Sequence, residues 1–123
     1  MPSKNDTTII RELATRLAEI ATLPVQEEKR RLWRKHNGLK PERPMVMVDQ
    51  VCWNEMNIDD ELTLQCEDKE CHPYERQMRM QLFQWKHFPV DMVTTELMEY
   101  AHELGRKLIV HSMALHLYDG CRW

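Results

Sequence analysis

Only three glycines occur in 123 residues, and that scarcity excludes whole groups of functions. A phosphate-cradling loop needs closely spaced glycines ahead of a helix, and an esterase-type nucleophile elbow needs Gly-x-Ser-x-Gly; the chain has neither. No apolar run approaches the ~20 residues of a membrane span. No large excess of one charge exists either. The net charge is −3, which argues against nucleic acid or an anionic membrane as the partner. No apolar stretch of signal-peptide type follows the polar residues 1–8. The four cysteines, Cys52, Cys66, Cys71 and Cys121, are therefore expected in the reducing cytoplasm, as free thiols or ligands.

What is present suits one compact domain. Hydrophobic residues make up 42% and charged residues 30%, too apolar for disorder. The length falls short of a complete eight-stranded barrel, which needs roughly 250 residues. Charge is segregated along the chain: residues 29–43 hold seven Lys/Arg, and 55–70 hold seven Asp/Glu against one Lys. Both runs read as solvated faces.

Helical spacing is plain in three places. Ile9, Ile10, Leu13, Leu17, Ile20 and Ala21 recur at a 3.6-residue period behind a cap at Asn5 or Asp6. Leu23-Pro24 breaks that helix and Pro24 opens a second. Glu27 and Glu28 stand at its start, Arg34 and Lys35 near its end, and Gly38 is the stop. Pro73 opens a third, with Tyr74, Met78, Leu82 and Trp85 on one face, and Pro89 closes it. A Met and aromatic stripe of this kind reads as core.

Between the second and third helices lies Arg43-Pro-Met-Val-Met-Val-Asp-Gln-Val-Cys-Trp-Asn-Glu55. A short apolar run bounded by Pro44 and an acid reads as a strand buried on both faces, as in parallel sheets. Leu62–Cys66 reads as a short strand or an extended segment. Val90–Val93 and Leu108–Val110 read as two further buried strands, with a helix capped by Thr94 or Thr95 between them. The order strand, helix, strand, helix, strand predicts an α/β partial barrel with parallel strands at about 45–49, 90–93 and 107–112. Crossover helices join the strands and two helices precede them. Residues 1–40 form the helical region and 41–123 the barrel segment. Asp49, Gln50, Trp53 and Glu55 then fall at a strand's carboxyl end, where such folds bind substrate or cofactor. Cys66, Cys71 and His72 give Cys-x₄-Cys-His, a weak metal pattern without the Cys-x₂-Cys spacing.

Residues 28–93, from Glu-Lys-Arg-Arg-Leu-Trp-Arg to Gln-Trp-Lys-His-Phe-Pro-Val-Asp-Met-Val, resemble the start of proteins of the uroporphyrinogen decarboxylase superfamily, in its branch related to corrinoid-linked methyltransferases. Glu99-Tyr-Ala-His-Glu-Leu-Gly-Arg-Lys-Leu-Ile-Val-His-Ser resembles a later unit of the same family. The resemblance implies a TIM barrel, here truncated and internally shortened, with methyl transfer to a corrinoid protein or a thiol as the ancestral task. It implies a zinc site of His-x-Cys and a later Cys. Here His111 matches, Met113 replaces the first Cys, Cys121 is the candidate for the later one, and His116 is a substitute ligand. Thioether is a poor Zn²⁺ ligand. The decarboxylases' Arg-rich segment is replaced by acidic 49–55, which disfavours porphyrinogen decarboxylation. An incomplete barrel leaves open edges, so self-association or pairing with a homologous chain is expected. The second reading is a non-catalytic interaction protein that docks through its helical amino-terminal region.

Overall fold

Ser3 starts the first helix by accepting the Asp6 N–H on its hydroxyl, while the Asp6 carboxylate accepts the Ser3 N–H. This reciprocal cap satisfies two otherwise orphaned donors. It moves the cap from the expected Asn5 or Asp6 to Ser3, with Asp6 as its return arm. In the computed structural model residues 2–94 are described throughout, together with the backbone of 108–111 and 114–117. The elements are α1 (Lys4–Ala21), α2 (Pro24–Asn37), α3 (His72–His87), β1 (Leu108–His111) and β2 (Ala114–Leu117).

The core forms where α1 meets α3. Ile10, Leu13, Ala14 and Leu17 of α1 pack on Tyr74 and Met78 of α3, with Cys66 and Cys71 closing one end. The spacing of the α1 set makes a single stripe, and each large apolar side chain removed from water contributes about 2 kcal/mol. α2 begins at Pro24, whose missing N–H costs nothing at a first helical turn. It buries Gln26, Lys29 and Leu32. Arg31 and Lys35 both reach the Glu42 carboxylate, and Arg31 also pairs with Glu28. These pairs neutralise much of the basic run within the chain itself.

Two buried carboxylates bind the loop ahead of α3. The N–H groups of Gln65 and Cys66 donate to Glu75 at 2.7 and 3.0 Å. Those of Glu67 and Asp68 donate to Asp6 at 2.9 and 3.3 Å. Arg79 adds a charged partner to Glu75 at 2.8 Å.

The α/β partial barrel is not the fold. The protein is a helical assembly, and among the described residues no parallel strand pair occurs. Residues 45–49 run as a surface segment, with Val46 51% and Met47 61% exposed; a strand buried on both faces would hide them. Residues 90–93 make no strand because Val90 has φ 37°, a positive value that breaks extended backbone. Leu62–Cys66 forms no strand either. The third expected strand, 107–112, contains β1, but β1 pairs antiparallel with β2, Leu108 opposite Leu117 and His111 opposite Ala114. The expected helix after Thr94 lies outside the described residues. No helix among them is long and apolar enough to cross a membrane.

Candidate functional site

The segment from Pro44 to Asp49 runs without turn or bend and is fastened at its middle. Val46 donates its N–H to Asp91 Oδ2 at 2.7 Å and accepts the Asp91 N–H at 3.1 Å. The same carboxylate takes both ends of the Arg43 guanidinium, at 2.6 and 3.0 Å. Asp91 is buried. Arg43, and then the Val46 N–H, hold its carboxyl down at about 2 against the opposing effect of burial. It stays ionised across the physiological range.

One face of α2 then grips residues 91–94. Trp33 Nε1 donates to the Asp91 carbonyl at 2.7 Å and the Lys29 ammonium to the Met92 carbonyl at 3.2 Å. Gln26 Oε1 accepts the Thr94 N–H at 3.0 Å. Residues 26, 29 and 33 share that face by helical spacing. Lys29 also lies 5.2 Å from the centre of the Trp85 ring, within cation–π reach. Burial pushes its ammonium below the usual lysine value, with Asp91 opposing. Beside this joint, Gln81, Gln84 and Trp85 of α3, with Pro89 and residues 92–94, line an open cleft of about 250 Å³.

The residues expected at a strand's carboxyl end are placed differently from one another. Asp49, Gln50 and Glu55 are exposed, with Gln50 at φ 55° ending the extended run. Trp53 is half buried, its ring 6.1 Å from Phe83 and 6.3 Å from Phe88. It covers the end of α3, so its indole is engaged in packing. None of the four is among the residues that line the cleft beside α3. His111 stands in β1 and His116 in β2, opposite Ile109; Cys121 lies outside the described residues.

Cys66 and Cys71 belong to the core, and His72 stands half-buried beside them. Both thiols are buried, and burial pushes Cys66 up to about 12 and raises Cys71 as well. Thiols held protonated are poor ligands and poor nucleophiles. His72 donates from Nε2 to the Cys66 carbonyl at 2.9 Å, which engages that ring nitrogen. Among the described residues no group of His, Cys, Asp and Glu is arranged to hold a metal ion.

Sequence reasoning missed Asp91, Gln26, Lys29 and Trp33. A signal was there: a lone acid inside Val-Asp-Met-Val, and polar residues on the inner face of α2. Exposed apolar side chains were missed too. Besides Val46 and Met47, Ile58 is 83% exposed and Met56 is exposed. No family model, curated protein or solved structure matches the chain.

Proposed function

We propose that this chain is a non-catalytic interaction protein whose helices form a frame for presenting the segment 44–58 to another protein chain. The carrying observation is the exposure of Val46, Met47 and Ile58 on a segment fixed through the buried Asp91. Apolar residues left in water on a preorganised backbone lose little entropy when a partner covers them. The reading moves the docking surface from the helical region to the segment behind it. The charges of α2 are largely taken up by Glu27, Glu28 and Glu42, so that helix has less left to offer.

The test is photo-crosslinking in the producing cell, with a benzophenone amino acid at position 47 or 58 of the full chain and at exposed Arg16 of α1 as control. Discrete adducts from 47 and 58, absent from 16, are expected. No adduct at either position would overturn the reading. So would Zn²⁺ or corrinoid binding by the purified chain that is lost in His111→Ala, which would point to methyl-transfer chemistry instead.

A further inference from the structure

We infer that the partner at Pro44–Asp49 is a second copy of this chain, paired edge to edge and antiparallel about Val46. The inference rests on the docking reading above and adds the occupant and its register.

Backbone direction comes first. In extended chain, the N–H and C=O of successive residues point to opposite edges. Val46 spends both groups on Asp91. Met45 and Met47 therefore aim theirs at the other edge, where neither makes a backbone hydrogen bond among the described residues. Pro44 has no N–H, but its position shares the parity of Val46, so the loss falls on the inner edge and leaves the outer ladder whole. Edges of solitary strands are commonly guarded by a charge or a proline within the run. Met45-Val-Met-Val48 carries neither.

Charge selects the occupant. Arg43 is held by Asp91, and Glu42 by Arg31 and Lys35, which leaves Lys40 at the start of the segment and Asp49 and Glu55 at its end as the charges without an ion pair among the described residues. A strand of this polarity is complementary to itself only when reversed. Met45 then faces Met47 of the second copy and exchanges N–H and C=O with it, and the Lys40 end of each copy lies toward the Asp49 and Glu55 end of the other. Asp49 accepts only the Gln50 N–H among the described residues, and the Lys40 end of the second copy brings a cation toward it. A parallel copy would set like charges together. In the reversed register Val46 faces Val46 across the two-fold axis, in a non-hydrogen-bonded pair with Cα atoms about 4.5 Å apart.

A ladder this short buries less than the ~1,200 Å² of a standard interface, so the dimer is weak, with Kd on the order of 10 μM. Sedimentation of the full chain from about 1 to 200 μM should show a reversible monomer–dimer exchange. Met47→Pro removes one of the two outer donors in each copy and should weaken the dimer at least tenfold, with the helical circular dichroism unchanged. In a Cys52→Ser, Cys121→Ser background, Val46→Cys should form an intermolecular disulfide under glutathione disulfide, because 4.5 Å lies within disulfide reach; Ile58→Cys should not. A monomer at all concentrations with no Val46→Cys adduct overturns self-pairing, as does a dimer that crosslinks only through Ile58→Cys. If self-pairing fails while positions 47 and 58 still capture a different protein in cells, the docking reading stands alone. If both experiments fail, both readings fall.

Discussion

Asp6 and Glu75 divide four consecutive peptide N–H groups between them, Gln65 and Cys66 going to Glu75 and Glu67 and Asp68 to Asp6. One carboxylate comes from the first turn of α1 and the other from the first turn of α3. The loop between them is thus the joint that fixes how the two helices meet.

Removing charge from that joint tests it. Glu75→Gln keeps the side-chain shape but turns one acceptor oxygen into a donor facing an N–H, and leaves Arg79, only 11% exposed, without its anion. Breaking a buried pair in this way costs about 3 kcal/mol. Urea denaturation should show the midpoint falling with an unchanged slope. A loss under about 1 kcal/mol would mean that the loop holds its shape without the carboxylate.

Acid should unfold the protein through the same groups. Asp91 and Glu42 are held at about 2, by Arg43 and by Arg31 respectively. Asp6 is lowered, chiefly by the Glu67 N–H. For Glu75, burial works upward, but the N–H groups of Cys66 and Gln65 and the Arg79 guanidinium outweigh it and leave the group lowered. Folded values below the unfolded ones mean that the unfolded chain binds more protons as pH falls through the carboxylate range, so stability rises with pH there. The contribution is complete above the unfolded values near ~4 and lost as pH drops toward ~2. Urea midpoints should be flat from pH 5 to 7 and decline steeply below 4.

How far this was readable follows from the kind of signal involved. The three helices were legible because 3.6-residue periodicity and the punctuation at Pro24, Gly38 and Pro73 survive whatever the tertiary context. The segment at 45–49 was not. Four apolar residues in a row look the same whether they fill a sheet or lie on a surface, and only the partner decides. That partner is Asp91, whose carboxylate imitates a neighbouring strand to Val46 at one point. A side chain acting as a strand edge leaves no periodicity. The candidate site suffered likewise: Trp53 is read equally well as a stacking platform or as a lid over Phe83 until Phe83 is placed.

Thiol chemistry separates the cysteines. In a Cys121→Ser chain, exposed Cys52 should react at once with an aromatic disulfide reagent at pH 8. Cys66, pushed up to about 12, and Cys71 should react only at the rate of unfolding, with both recovered in denaturant. Fast reaction of three thiols in the native protein would contradict the packed joint.

Lys29 gives a test of charge against packing. Its stem lies buried and its ammonium serves one carbonyl and the Trp85 face. Lys29→Met preserves the stem and removes a partly desolvated charge, and should change stability by less than about 1 kcal/mol. Lys29→Ala also removes the packing and should cost about 2 kcal/mol. Equal losses in the two variants would show that the charge, and not the stem, is what α2 needs.

The joint at Asp6 also sets a schedule for biosynthesis. Glu67 follows Asp6 by 61 residues, and the α3 side chains that cover the α1 stripe come later still. At 5–20 residues per second, translation takes roughly 3–12 s to supply them. During that interval the newly made α1 has a polar cap but no surface to lie against. Until α3 has emerged, α1 waits with its apolar side open to the ribosome surface and to chaperones.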